Sequence, residues 1–230
     1  MNHTIFLITL VLHITSGSVG LLSGTIGMVS KKAGKLHKRV GKTFFYAMAG
    51  VFVTSLYMSI VKDNVFLLLI GFFSFYLAST GYRILYLKKL GVQKIRPKAI
   101  DYLIGYTGMV SGIVMLAYAA FLFMRHNQFG IVIFVFGCLA FWLGYRDMRK
   151  FKVLPTEKTH WIVGHGMRMA GAYAATVTAF VVVNIQIQQQ WILWLLPAAI
   201  VIPLAQRYVN RFIKPAKKVL QRQSDSNMAV

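Results

Sequence analysis

The chain has 230 residues, of which 57% are hydrophobic and only 13% are charged. Soluble globular domains carry about 25% charged residues, so this composition excludes an ordinary soluble protein and favours a membrane-embedded one. The net charge of +21 could indicate nucleic-acid binding, but the basic residues are confined to a few linkers and no aromatic-rich basic face accompanies them. We therefore expect no nucleic-acid partner, and we attribute the charge to topology and to anionic lipid headgroups.

Seven apolar runs follow one another along the chain, each close to the roughly 20 residues that cross a hydrocarbon core. The predicted helices cover residues 4–29, 41–61, 65–87, 101–124, 129–145, 161–185 and 191–208. The first run follows no basic segment and is longer than a signal-peptide core, so we expect it to be retained. The sequence therefore predicts an all-α polytopic membrane protein, a seven-transmembrane-helix bundle. We expect a single transmembrane domain over residues 1–209 and a basic tail over 210–230.

The linkers between these runs alternate between strongly basic and almost uncharged. Of the 26 Lys and Arg residues, 22 lie in the first, third and fifth linkers and in the C-terminal tail. The second and fourth linkers hold only Lys62 and Arg125, and the sixth holds neither Lys nor Arg. Because Lys and Arg are retained in cytoplasmic loops, the pattern predicts an N-terminus outside and a C-terminus in the cytoplasm. The expected location is the bacterial inner membrane, with anionic lipids as partners at the cytoplasmic face.

Small residues recur at helical spacing in the first and fourth spans. The positions are Gly17, Gly20, Gly24 and Gly27 in the first, and Gly105, Gly108 and Gly112 in the fourth. Span six has a similar face. Because small residues let two helix backbones approach closely, we expect spans one, four and six to form the packed interior. The likeness of the first and fourth spans is also typical of an inverted repeat, in which each half has three helices. The alternative is that such stripes are common in packed membrane helices.

Four ionisable residues within or next to the spans define a candidate site. Arg168 lies about two turns into span six, and Arg83 lies about one turn from the end of span three. Asp101 opens span four and Asp147 follows span five. Charges at such positions are costly and usually face a partner or a cavity. They therefore predict either a cytoplasm-facing pocket, or structural and relay roles in which the aspartates pair with the arginines and hold helices together.

Histidines lie at the same predicted depth as these charges, at His37, His160 and His165. Neutral imidazole is a common ligand of haem iron and of divalent metal ions. Two of the three could ligate one haem b, or all three could ligate one metal ion, with Arg168 and His13 completing a cofactor-binding set. His13 lies closer to mid-membrane, so a proton relay or a hydrogen bond across the Gly-lined contact is the alternative for it.

Four stretches of the chain carry a resemblance to a known family. They read HITSG from His13, KKAGKLHKRVG around His37, YRDMR around Asp147 and HGMRMAGAYAATVTAF from His165. Together they resemble a bacterial family of uncharacterised multi-spanning membrane proteins, a domain of unknown function. The resemblance implies that these His, Arg and Asp positions are the family's signature, and it implies no reaction. In layout alone the chain is also similar to b-type membrane cytochromes.

These observations favour a haem- or metal-binding redox protein of the inner membrane, with a quinone as candidate electron partner. The alternatives are a transporter or channel for a small solute or ion that uses the Arg168 pocket, and a structural membrane protein without its own chemistry. The sequence contains no phosphate-binding glycine loop and no metalloprotease motif, and it predicts no enzyme class. A homo-oligomer is a candidate assembly.

The predicted topology can be tested with reporter fusions along the chain. Fusions after Lys42, Lys98 and Lys152 are expected to report the cytoplasm, and fusions after Asn64 and Asn127 the outside, because basic loops are retained during insertion. Paired alkaline phosphatase and fluorescent protein reporters measure both sides. Inversion of any one of these signals would contradict the seven-span prediction.

Overall fold

The computed structural model describes residues 3–91, 95–155, 157 and 159–228, and side chains up to residue 213. Within this part of the chain the long elements are all helical. They are α1 (His3–Val29), α2 (Lys35–Val61), α3 (Val65–Arg83), α4 (Ala99–Met124), α5 (Gly130–Lys152), α6 (His160–Asn184) and α7 (Gln190–Met228), with a short 3₁₀ turn at Ile84–Tyr86. All seven are long and apolar enough to cross a membrane, which confirms the predicted all-α, seven-helix class.

Several helices extend beyond the apolar runs that predicted them. Helix α2 begins at Lys35 rather than at residue 41, and α5 continues to Lys152 rather than ending at residue 145. Helix α7 runs through the predicted boundary at residues 209–210 as far as Met228. The added turns are polar and basic, so hydropathy does not detect them, although a helix satisfies its own backbone in any medium. Two predicted loop cations, Lys94 and Lys158, and the tail side chains after residue 213 lie outside the described residues.

Helix α3 occupies the centre of the bundle. It packs against α2, α4 and α6, whereas the broadest contacts elsewhere join α1 to α2, α4 to α5 and α6 to α7. Its buried side chains include Phe73, Tyr76 and Leu77. In the described part of the chain, α5 and α6 do not pack directly as α2 and α3 do, so the two halves of the predicted inverted repeat are not packed alike.

Helix α1 lies at the periphery of the bundle, so the prediction that it belongs to the packed interior is wrong. Its large apolar residues Val11 and Leu22 are 61% and 66% exposed. A Cβ added at Gly17 would meet nothing within 4 Å, and only Gly24 on this helix is tightly packed, against the Tyr173 ring of α6. The tightest contacts of the α1 glycine stripe are therefore with aromatic rings, those of Tyr173 on α6 and Phe44 on α2.

The glycines of α4 do make the predicted close helix contacts. A Cβ at Gly108 would lie 2.6 Å from the Tyr76 ring of α3. At Gly112 it would collide with the main chain of α5, where the Cα of Phe141 lies 2.8 Å from its position. These two positions let α4 pack against both α3 and α5, which confirms that span four belongs to the interior.

The contrast between the two glycine stripes predicts opposite effects of the same small substitution. Gly112→Ala is expected to lower the free energy of unfolding by about 1–3 kcal/mol, because the methyl group meets backbone that cannot move aside. The matched control Gly17→Ala is expected to be neutral or to stabilise by up to about 1 kcal/mol, because alanine is the better helix former. Thermal unfolding in detergent measures both, and equal melting temperatures would contradict the α4–α5 contact.

Candidate functional site

Most of the predicted site residues lie at one end of the bundle. We call this the basic end, and it comprises the loops after α1, α3 and α5 together with the adjoining helix turns. Arg83 lies at the end of α3, Asp101 in the first turn of α4 and Asp147 near the end of α5. His165 and Arg168 lie in the first turns of α6. The alternation of helix direction therefore brings together residues that are far apart in the sequence.

The first ion pair at this end joins α3 to α4. Arg83 donates from Nε to Oδ1 of Asp101 at 2.6 Å and from Nη2 to Oδ2 at 3.2 Å. The second carboxylate oxygen also accepts from the main-chain nitrogen of Lys98 at 2.7 Å, at the start of α4. The Asp101 side chain is 1% exposed. This pair joins the end of α3 to the start of α4.

The second ion pair joins α5 to α6 and includes a residue of α3. Arg168 donates from Nη2 to Oδ1 of Asp147 at 2.8 Å and to the main-chain oxygen of Leu143 at 3.1 Å. Tyr76 donates its hydroxyl hydrogen to Oδ2 of the same aspartate at 2.6 Å. The Tyr76 ring also lies beneath the guanidinium, 5.0 Å from Cζ to the ring centroid. Three helices thus meet at one buried, charged cluster.

One nitrogen of this cluster has no partner. Arg168 is only 9% exposed, and its Nη1 is the one buried side-chain nitrogen or oxygen among the described residues without a hydrogen bond. Leaving a buried donor unpaired costs about 1–3 kcal/mol, and more when the group is charged. The Arg168 guanidinium therefore differs from that of Arg83, because it retains a binding capacity that the protein itself does not use.

A large cavity adjoins Arg168. Its volume is about 1750 Å³, and it is lined by residues of every long helix except α4. It extends along the bundle from Asn64 and Asn184 at one end to Lys150 and His160 at the basic end. Most of its lining is apolar. Because pockets for small molecules measure about 300–1,000 Å³, this space has room for a larger ligand.

Two of the predicted histidine ligands, His37 and His165, lie next to each other. Their ring centroids are 6.2 Å apart and the ring planes are inclined by 82°. Nδ1 of His37 lies 3.2 Å from the main-chain oxygen of Gly27, and Nδ1 of His165 lies 2.7 Å from that of Gly81. A carbonyl oxygen can only accept, so both Nδ1 atoms must carry the hydrogen. In the neutral rings, both Nε2 atoms then have a free lone pair.

The backbone that holds His37 is itself secured by a lysine. Lys32, in the turn between α1 and α2, donates from Nζ to the main-chain oxygens of Gly27 and Met28 at 2.8 and 2.6 Å. These are carbonyls of the last turn of α1, which a cation stabilises. Burial lowers the pKa of Lys32, because desolvation disfavours the charged form. The Gly27 oxygen thus accepts from both Lys32 and His37, which fixes the orientation of the imidazole.

His160 and His13 have other partners, so the structure divides the predicted cofactor set. Both ring nitrogens of His160 lie against main-chain oxygens, Nδ1 at 2.9 Å from Glu157 and Nε2 at 3.2 Å from Leu87, so neither nitrogen faces an open position for a metal ion. Among the described residues, no group of three or more His, Cys, Asp or Glu side chains lies close enough to hold a metal ion. The three-histidine ligand set is therefore not assembled here.

His13 instead makes the hydrogen bond between helices that was its alternative role. Its Nδ1 lies 2.9 Å from the hydroxyl oxygen of Thr54, which joins α1 to α2. His13 lines the large cavity together with Arg168 and His160, whereas neither His37 nor His165 does. The predicted single site is therefore two sites, a histidine pair and an arginine at a cavity.

Two residues of the site were not predicted from the sequence. Tyr76 lies in an apolar run, where only its hydroxyl signals that a buried partner is required. Lys150 lines the large cavity and a second, small cavity that also contains Asp101 and Asp147. In the sequence it is one of several loop cations, and its position one turn after Asp147 identifies it only once the helix is known to continue.

Comparisons with protein families, with curated proteins and with solved structures found no match. The resemblance to an uncharacterised membrane family therefore stays a prediction from the quoted stretches.

The Arg83–Asp101 pair predicts a strongly non-additive response to mutation. Arg83→Met is expected to destabilise the fold by about 3–5 kcal/mol, because it leaves a buried carboxylate without its counter-ion. Adding Asp101→Asn should recover at least half of that loss, because the amide keeps an oxygen for the Lys98 nitrogen and carries no charge. Chemical unfolding in mixed micelles measures the cycle, with the exposed Arg125→Gln as the control. Additive losses would show that the two side chains do not interact.

Proposed function

We propose that the chain is a multi-pass protein of a bacterial inner membrane, with the basic end at the cytoplasmic face. The outward surface of the bundle supports this placement. Ile60 and Met124 are 76% and 75% exposed, and most other exposed side chains along the helices are also large and apolar. An apolar surface of this extent requires a lipid environment or a partner. The clustering of Lys and Arg at one end supports the orientation.

We further propose that His37 and His165 bind one metal ion between them. The observation that carries this proposal is the fixed tautomer of both rings, since hydrogen bonds from Nδ1 to the carbonyls of Gly27 and Gly81 leave both Nε2 atoms free. Histidine ligands of metals are oriented by this kind of second hydrogen bond. With metal–nitrogen bonds of about 2.0–2.1 Å, two ligand rings have centroids about 5–6.5 Å apart. The observed 6.2 Å lies in that range.

The surroundings of the histidine pair favour a metal ion over haem b. Imidazole suits zinc, copper, iron and nickel. A haem needs a slot for its macrocycle between the two rings, and the large cavity, where a macrocycle has room, does not include His37 or His165 in its lining. A redox-active ion at this pair would supply one-electron chemistry, and the quinone partner and the redox role remain predictions of the same hypothesis.

Transport of a small solute is the second candidate function. The observation in its favour is the cavity, which extends along the bundle and contains both His13 and Arg168. The two candidates use different residues, so variants of the histidine pair separate them. A loss of flux through liposomes in variants that line the cavity, with metal binding intact, would favour transport.

Metal titration of the purified protein tests the histidine pair. The protein in detergent is dialysed against Cu²⁺, Zn²⁺, Fe²⁺ or Ni²⁺ and its metal content is measured by mass spectrometry. One equivalent of at least one ion is expected, and His37→Ala or His165→Ala should weaken its binding at least about tenfold. X-ray absorption should show nitrogen ligands at about 2 Å.

The chain provides matched histidine controls. His13→Ala and His126→Ala remove histidines outside the pair and should leave the metal content unchanged. Retention of the ion in the double variant His37→Ala/His165→Ala would overturn the metal proposal. A low-spin haem spectrum after reconstitution with haem, lost in the same double variant, would replace the metal ion by haem b.

A further inference from the structure

The end of the large cavity next to Arg168 combines features that the histidine pair does not use. We propose that it binds the phosphate of an anionic glycerophospholipid, with the acyl chains in the apolar part of the cavity. This inference rests on the proposed membrane location but is independent of the metal proposal.

The unpaired nitrogen is the anchor of the proposed site. Nη2 of Arg168 is already committed to Asp147 and to the main chain of Leu143, whereas Nη1 is buried and makes no hydrogen bond. Guanidinium binds phosphate oxygens strongly, with paired N–H donors in a fixed geometry. Arg168 lines the cavity, so an anionic oxygen there would lie next to a guanidinium that still has an unpaired donor.

The charges around the cavity favour an anion over a cation or a neutral solute. Arg146, Arg149 and Lys150 line this end together with Arg168, and these four cations outnumber its two acidic residues, Asp147 and Glu157. The nearby carboxylate of Asp147 is occupied by Arg168 and by the Tyr76 hydroxyl. The guanidinium of Arg146 lies 4.7 Å from the centroid of the Trp142 ring, which also lines the cavity. A phosphate here would therefore meet several cations and no free acidic oxygen of Asp147.

The shape of the cavity favours a ligand with long apolar chains over a free phosphate ion. The space measures about 1750 Å³, and away from the charged end its lining is largely apolar, with side chains such as Leu139, Ala175 and Ile202. Helices α5 and α7 meet only over a short stretch, and α5 does not pack on α6 in the described part of the chain. A small anion would leave most of this apolar space unused, whereas a phospholipid matches both the charged end and the apolar length.

Native mass spectrometry of the detergent-purified protein tests the proposal. The affinity for dioleoyl phosphatidylglycerol is compared with the affinity for dioleoyl phosphatidylcholine, which has the same chains and no net charge. We expect one phosphatidylglycerol per chain, bound about tenfold more tightly than phosphatidylcholine. The variant Arg168→Gln/Asp147→Asn removes both charges of the buried pair, so it avoids an orphaned aspartate, and it should abolish the preference.

A second variant and a control keep the test decisive. Arg146→Gln/Lys150→Gln leaves the Arg168–Asp147 pair intact. It should lower the preference for phosphatidylglycerol at least about threefold, because it removes two cations from the rim of the site. The control Lys62→Gln/Arg125→Gln removes two cations at the opposite end and should keep the full preference. Equal affinity for the two lipids, or an unchanged preference in either cavity variant, would overturn the proposal.

Two competitors distinguish the lipid from other anions, and membrane insertion is tested separately. Oleate that binds in place of phosphatidylglycerol, or inorganic phosphate that displaces it at equal concentration, would assign the site to a different anion and overturn the proposal. The lipid titration uses purified protein and does not depend on the reporter fusions. If the fusions report the expected topology but the lipid preference is absent, only the lipid site is refuted. Incorrect topology refutes the proposed membrane orientation instead.

Discussion

The ion pair between Arg168 and Asp147 connects two helices that do not otherwise pack against each other in the described structure. Tyr76 of α3 joins the same carboxylate, so a single cluster fixes the spacing of α3, α5 and α6. Because α5 and α6 are joined through these side chains and do not pack directly, space remains between them. The cavity thus follows from the cluster, and so does the unpaired nitrogen, since one carboxylate cannot satisfy every donor of the guanidinium.

The number and approximate position of the helices could be predicted because hydropathy depends on composition alone. The packing order could not. Glycine spacing is the same in α1 and α4, yet Gly112 meets the backbone of α5 whereas Gly17 meets nothing. A stripe shows that a helix can be approached closely, and only the neighbour's position decides whether it is. The central position of α3 could not be predicted from its sequence either, because its aromatic residues are equally suited to face lipid or a packed interior.

The candidate site was predictable in its location and not in its partners. Most of the predicted site residues share one end of the bundle because the helices alternate in direction, which follows from their order in the chain. Which histidine has a free lone pair depends instead on carbonyls at the ends of other elements, those of Gly27, Gly81 and Leu87. No pattern in the sequence encodes these distances. His37, His160 and His165 are therefore equivalent candidates in the sequence, and they differ only in the hydrogen-bond partners that the fold gives them.

The 1750 Å³ space between the helices also has a mechanical consequence. Folded proteins lose stability under hydrostatic pressure in proportion to the internal void volume that unfolding eliminates. Acyl chains in this space would leave less void volume for unfolding to eliminate, whereas a sparsely filled space would make the bundle more sensitive to pressure. The response of the protein to several kilobars therefore reports how full this region is, independently of which chemical group enters it.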